Sequence, residues 1–204
     1  MNAAPPQLHA VVLAAGASRR FGAIKSLALC AGEPLLQRVI ACAQAAAAHT
    51  WVVLGAHRAE LAPLAAQRAA AIVFNPHWPE GLGSSIRAAV LQLPASCAAV
   101  LLVLGDQARL EPQDLCRLAQ AWRSAPEAIV AARYGTVLGA PVIFPRRCFR
   151  ALRQLRGDAG ARTLIERDRA AVIAVEMPNA AFDVDTVADL ATVEAAVSSG
   201  ETGP

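Results

Sequence analysis

Short apolar runs alternate with amphipathic stretches along most of the chain. Segments 9–14, 51–54, 72–74, 98–104, 128–132 and 172–175 carry apolar residues at successive positions. Each is too short for a helix, and such patterning is that of strands buried on both faces. Between them the apolar spacing turns helical. Leu35, Leu36, Val39, Ile40 and Ala43 follow Pro34, which suits the first helical position. Segments 59–70, 84–93, 113–123 (behind Pro112), 146–156, 161–167 and 187–197 read as helices too, whereas 141–144 reads as extended.

Strands alternating with helices predict right-handed βαβ units. The fold class expected is therefore α/β, a single-domain Rossmann-like three-layer α/β/α sandwich with a mostly parallel sheet. The domain should span 8–197, with a proline-containing leader over 1–7 and a tail over 198–204 as loose ends. In such folds ligands sit beyond the carboxyl ends of the strands, where the strand order reverses. The chemistry should lie in the loops just after strands.

Composition narrows the class. Of 204 residues, 55% are apolar and 17% charged, with a net charge of +3. Disordered chains and strongly basic nucleic-acid binders need more charge and less hydrophobicity. The apolar stretch 97–104 is far short of the ~20 residues that cross a bilayer, so no membrane partner is expected. Five scattered cysteines without a C-x-x-C pair argue against disulfides or structural zinc and for a cytoplasmic setting. Ser18-Arg19-Arg20 superficially resembles an export signal, but Lys25 and Glu33 interrupt the apolar stretch such a signal needs. Lys25 is the only lysine, beside eighteen arginines.

Leu13-Ala14-Ala15-Gly16-Ala17-Ser18-Arg19-Arg20-Phe21-Gly22-Ala23-Ile24-Lys25 follows the first strand. Small residues allow close backbone approach, successive N–H groups can form an anion nest, and Arg20 and Lys25 add positive charge. The composition is that of a phosphate loop, although a glycine turn with solvated cations has the same ingredients. The spacing fits neither a Walker A loop nor G-x-G-x-x-G. Three further clusters stand beside strands. In 75–86, Asn75, Gly81, Gly83, Ser84 and Ser85 lead into a helix, where the glycines permit close approach and a serine can cap the helix or bind a ligand. Gly105-Asp106-Gln107 follows the strongest strand; Asp106 can hold Mg²⁺ or merely cap a turn. Asp183-Val184-Asp185-Thr186, with Asp189, reads by itself as an acidic helix start.

In this order the motifs L-A-A-G-x-S-x-R-x-G-x-x-K, N-P-x-W-x-x-G-L-G-S-S, G-D-Q and D-x-D-T-x-x-D-L resemble those of the MobA/MocA-type nucleotidyltransferases, over about 8–197. Gly139-Ala140-Pro141 through Phe144 and Gly157-Asp158-Ala159-Gly160-Ala161-Arg162 are similar to that family's G-x-P-x-x-F and G-D-x-G-A-R. The resemblance implies a nucleotide-diphospho-sugar transferase type of fold. It implies nucleotide binding by Leu13, Ala14, Ala15, Gly16, Arg20, Lys25, Asn75, Gly81, Gly83, Ser84, Ser85 and Asp106, with Arg20, Lys25 and Asp106 catalytic. It further implies Mg²⁺ on Asp106 and Asp185, with Asp183 in reserve, and an acceptor site at Gly139, Pro141, Asp158, Gly160 and Arg162. Arg162 also reads as an ordinary helix-surface arginine. Ala108 stands where the family usually has proline, which suggests a looser turn.

L-A-A-G, G-L-G-S-S and G-D-Q resemble the cytidylyl branch, which implies CTP and molybdopterin (or the molybdenum cofactor) as substrates and molybdopterin cytosine dinucleotide and pyrophosphate as products. A molybdenum hydroxylase or its chaperone is the implied downstream partner. Guanylyl transfer, or transfer to another small phosphorylated substrate, is the nearest alternative. A dinucleotide-binding oxidoreductase, disfavoured by the missing glycine fingerprint, and a non-catalytic nucleotide-binding module are alternatives of another class. In-line transfer needs alignment and charge neutralisation rather than a side-chain nucleophile, and no Ser/His/Asp or Cys/His constellation is visible. The four histidines have no ligand spacing.

The lone lysine gives a first prediction. A compact ammonium sits between phosphate oxygens where a planar guanidinium does not fit equally well. Lys25→Arg should therefore lower the rate of pyrophosphate release by about tenfold or more; an unchanged rate would make the lone lysine a matter of composition.

Overall fold

A computed structural model of the chain describes residues 7–158, 160–182, 186 and 189. In chain order come β1 (Gln7–Ala14), a small hairpin of β2 (Leu29–Cys30) and β3 (Glu33–Pro34), α1 (Leu35–Ala46), β4 (His49–Leu54), α2 (Arg58–Gln67), β5 (Ala71–Phe74), α3 (Leu82–Gln92) and β6 (Cys97–Leu104). There follow α4 (Pro112–Ser124), β7 (Val130–Tyr134), β8 (Val137–Pro145), α5 (Phe149–Leu152), α6 (Arg162–Arg167) and β9 (Ile173–Glu176). The helix expected over 187–197 and both loose ends lie outside the described residues, apart from Gln7, which opens β1. Thr186 and Asp189 are described: the Thr186 N–H donates to Asp189 Oδ2 at 2.7 Å and the Asp189 N–H to Thr186 Oγ1 at 3.2 Å. That reciprocal pair is the geometry of a helix start.

Seven strands form one sheet in the order β5-β4-β1-β6-β8-β7-β9. Its strands pair in parallel except at β8, which runs antiparallel to both β6 and β7. Residues alternate along each strand between two buried faces. Ala10 and Val12 of β1, with Leu101 and Val103 of β6, pack beneath Leu36 and Ile40 of α1 and Leu115 and Trp122 of α4. Val11, Leu13, Val100 and Leu102 face Ile86 and Val90 of α3 and Phe149 and Leu152 of α5. Both faces being covered explains why the strand sequences are apolar throughout rather than alternating.

Two expectations change. The extended run over 141–144 is the second half of the nine-residue β8, joined to β7 by the two-residue turn Gly135-Thr136, with Gly135 at φ +59°. The helix expected over 146–156 shortens to a 3-10 turn over Arg146–Cys148 followed by α5, with Cys148, Phe149 and Leu152 buried and Ala151 and Leu155 packed against the same core.

The order of strands fixes where a ligand can enter. From β1 the chain steps outward to β4 and β5, and α3 then carries it back to β6 on the other flank of β1. The strand order reverses between β1 and β6, and the Gly105 N–H donates to Leu13 O at 3.0 Å to close their carboxyl ends together. Among the described residues no helix is long and apolar enough to cross a membrane.

The cysteines give a test of this packing. Cys30, Cys42, Cys97 and Cys148 are buried, and Cys116 is exposed. Burial pushes the Cys42 and Cys97 thiols up to about 11 and raises that of Cys148. A raised thiol pKa means that almost no thiolate exists at pH 8, and only the thiolate attacks a disulfide reagent. A colorimetric thiol titration at pH 8 should count one rapidly reacting cysteine in the native protein and five after denaturation; two or more fast thiols in the native state would contradict this core.

Candidate active site

A cleft of about 520 Å³ opens above the carboxyl ends of β1 and β6. The end of β1 and the loop after it form one wall, with Leu13, Ala14, Ala15, Gly16, Arg20 and Lys25 all lining it, and Gly105 and Asp106 form the floor. Burial continues to Ala15, one residue past β1, and the chain then turns outward, helped by left-handed backbone at Ser18 (φ +51°) and Gly22 (φ +74°). Ser18 fastens the return: its carbonyl accepts the Phe21 N–H at 3.0 Å and its Oγ accepts the Lys25 N–H at 3.4 Å. At Gly16, which lines the cleft, an added Cβ would meet no heavy atom within 4 Å, so no neighbouring segment requires glycine there.

Lys25 thereby points inward, and its Nζ donates to Asp106 Oδ2 at 2.6 Å. The two side chains are 18% and 22% exposed, so water screens the pair less than it would on an open surface. Asp106 Oδ1 is buried and has no hydrogen-bond partner among the described residues. An unpartnered buried carboxylate oxygen beside a paired one fits a single ligand of a divalent cation, since Mg²⁺ usually takes one or two carboxylates and completes its shell with substrate oxygens and water. No cluster of three or more His, Cys, Asp or Glu is found among the described residues. Asp183 and Asp185, the expected second carboxylates, lie outside those residues.

The opposite wall is the segment from Trp78 to Ser85. Asn75, buried below it, donates from Nδ2 to Ser84 Oγ at 2.8 Å and to Ser85 Oγ at 3.1 Å, while its Oδ1 accepts the His77 N–H at 3.0 Å. The Ser84 hydroxyl donates to Gly81 O at 2.8 Å, and neither serine caps α3 by a side-chain bond at its N-cap, Gly81. Gly81 and Ser85 line the cleft, and Asn75, Gly83 and Ser84 stand behind it. Glycine is needed here for protein contacts. A Cβ at Gly81, whose φ is +102°, would strike Asp158 Oδ1, and one at Gly83 would lie 2.9 Å from Arg156 N. The Gly83 N–H donates to Gly157 O at 2.9 Å, so the 156–158 segment presses directly on this loop.

Of the residues expected to meet the acceptor, Asp158 lines the cleft and Gly139, Pro141, Gly160 and Arg162 do not. Gly139 makes room for Tyr134 Oη, 2.5 Å from an added Cβ; Gly160 does the same for Leu82 Cδ2 at 2.8 Å. Pro141 is buried in β8, and Arg162 is exposed at the start of α6. The turn at Ala108 is not loose. The Ala108 N–H donates to Asp106 O at 3.0 Å, a bond that proline could not make, and Ala108 O accepts from Arg38 Nε at 3.1 Å.

Ser18, Trp78 and Gln107 stand within the sequence motifs but carry no expected role there, and Gly55 stands outside them. Gly55 had a readable signal: Val53-Leu54-Gly55 ends β4 as Val103-Leu104-Gly105 ends β6. Its side-chain position is filled by neighbours, Ala15 O at 2.5 Å and Trp78 Cβ at 2.7 Å from an added Cβ, so both walls of the cleft meet over it.

Comparison with known proteins bears on this geometry. The sequence profile of the MobA-like NTP transferase domain matches residues 10–172. The chain is 32% identical over 165 residues to the bifunctional protein GlmU of Sorangium cellulosum, covering 77% of this chain but 34% of that protein, so it spans about a third of GlmU's length. It is 28% identical over 206 residues to the purine catabolism protein PucB of Bacillus subtilis, covering 95% and 98% of the two chains. The crystal structure of Rv0371c from Mycobacterium tuberculosis H37Rv superposes with a TM-score of 0.81 at 27% identity, over 94% of this chain and all of that one. Rv0371c in complex with manganese gives a TM-score of 0.77 at 26% identity, over 93% and 98%.

Gly55→Ala tests whether the two walls depend on one another. The new methyl has no room, and overpacking a rigid site costs about 1–3 kcal/mol. Chemical denaturation should show a loss of that size, and titration with a nucleoside triphosphate should show binding weakened by about tenfold. Unchanged stability and affinity together would contradict the packing described.

Proposed function

The chain belongs to the MobA-like NTP transferase domain family, and on that premise we propose that it transfers the cytidylyl group of CTP to molybdopterin, releasing pyrophosphate and yielding molybdopterin cytosine dinucleotide. Nucleotidyl transfer is the family's chemistry; the choice of CTP and of molybdopterin is the finer reading. One observation carries the nucleotidyl-transfer reading: the Lys25–Asp106 pair, at 2.6 Å, spans the carboxyl ends of β1 and β6 where the strand order reverses, inside a cleft walled by a small-residue loop.

In the reaction, an oxygen of the acceptor's phosphate attacks the α-phosphorus of CTP. A new P–O bond forms as the bond to the bridging oxygen between the α- and β-phosphorus breaks, and that electron pair leaves with pyrophosphate. Lys25 and Arg20 place positive charge along the triphosphate, and the bare backbone at Ala15 and Gly16 lets the phosphates approach N–H groups. Asp106 would hold the divalent cation, Mg²⁺ in this reading, with Asp185 as second carboxylate and Asp183 in reserve. The cation, when bound, neutralises charge that develops on the phosphate oxygens. Asn75, Ser84 and Gly83 act from behind the wall to hold Gly81 and Ser85 toward the nucleotide. Asp158 lies on the side where the acceptor enters, with Gly139, Pro141, Gly160 and Arg162 on the segments that flank it.

The base preference rests on the likeness of L-A-A-G, G-L-G-S-S and G-D-Q to the cytidylyl branch. The catalytic unit is read as 8–197, acting in the cytoplasm and passing its product to a molybdenum hydroxylase or its chaperone.

The test offers CTP, GTP or ATP with molybdopterin and Mg²⁺ and measures pyrophosphate release. CTP should be preferred by at least about tenfold, the discrimination that a few base-specific hydrogen bonds readily supply. Equal rates with the three nucleotides, or no turnover with CTP, would sink the cytidylyl assignment.

A further inference from the structure

The connection from β6 to α4, with the first turn of α4, grips the segment that leads into the acidic motif. Asn179 Nδ2 donates to Asp114 Oδ2 at 3.3 Å, the Arg109 guanidinium lies 3.8 Å over the Phe182 ring, and Gln107 Nε2 donates to Ala180 O at 3.1 Å. All three partners follow Asp106 closely in sequence, and the residue after Phe182 is Asp183.

Gln107 is the centre of this grip. It is 1% exposed, and its amide is used on both sides. Oε1 accepts the Leu104 N–H at 3.3 Å, while Nε2 donates to Ala140 O at 3.0 Å as well as to Ala180 O. Leu104 ends the strand that carries Asp106, Ala140 precedes Pro141 in β8, and Ala180 lies on the turn that runs toward Asp183. One side chain thus joins three segments around the floor of the cleft. No other residue reproduces the set. Glutamate would set a carboxylate against two carbonyls, asparagine is a methylene short, and methionine would leave two carbonyls and an N–H unpaired in the interior.

We infer that Gln107 is a positioning residue: it ties the loop that carries Asp106 to the turn at Ala180 and to the β8 strand, so that the Asp106 carboxylate keeps one position toward a divalent cation. The β8 part of this statement rests on the nucleotidyl transfer read above; the cation part does not. Outer groups that orient metal ligands typically matter by about 10–100-fold in metal affinity or activity.

The experiment compares the parent protein with Gln107→Met, measuring Mn²⁺ binding by electron paramagnetic resonance without nucleotide or acceptor, then kcat and the KM for CTP, each at a temperature where melting curves show the protein folded. The Mn²⁺ Kd should rise by about tenfold or more and kcat fall by a similar factor, with the nucleotide KM within about threefold of the parent. If Gln107→Met does not fold, Gln107→Asn, which keeps an amide in the pocket, is read in the same way. A folded variant that melts at a lower temperature but keeps the parent's Mn²⁺ affinity and kcat overturns the inference, because Gln107 would then be a packing tie alone. Absence of CTP turnover in the parent would remove the functional reading and leave the Mn²⁺ result standing.

Discussion

The Lys25–Asp106 ion pair is the contact around which the cleft is organised. Its partners belong to loops 81 residues apart in sequence, and they meet because α3 returns the chain across β1 to place β6 on the far side. That reversal leaves a gap between neighbouring βα connections at the carboxyl ends of the two strands, the recurrent binding place of open α/β sheets. The protein sets a cation and an anion there. One carboxylate oxygen is matched by the ammonium and the other is buried without a partner among the described residues, an arrangement suited to a metal and a polyphosphate arriving together.

The walls are stiffened by residues behind them and by Gly81 within one of them. Asn75 satisfies two serine hydroxyls and an amide in the interior, where a missing bond would be costly. Gly55, Gly81, Gly83 and Gly160 permit backbone and side-chain approaches that any Cβ would block. Small residues in this site therefore stand in two separate settings. At Gly16 an added Cβ would stand in open space beside the cleft, and at the others the missing side chain leaves room for another piece of the protein.

Much of this was legible in the sequence, for identifiable reasons. Apolar runs such as 98–104 announce strands because both faces of the sheet are covered, whereas the loop carrying Arg20 and Lys25 has residue types that a phosphate loop shares with a glycine turn bearing solvated cations. The direction of β8 was not legible, since a buried apolar strand has the same pattern whichever way it runs. Nor was the reason for Gly81 and Gly83, because the segment that crowds them, 156–158, is remote in sequence. Gln107 was hidden for a related cause: a buried amide is specified by carbonyls at Ala140 and Ala180 that only the fold brings together.

The central claim is that the α-phosphoryl group stays with the acceptor. Reaction of the protein with molybdopterin, Mg²⁺ and CTP labelled with ³²P at either the α or the γ position, followed by separation of the products, tests it directly. The account predicts α-label in the molybdopterin product and γ-label in pyrophosphate. Label from the γ position on the acceptor, or released as free phosphate with none of the α-label transferred, would contradict it.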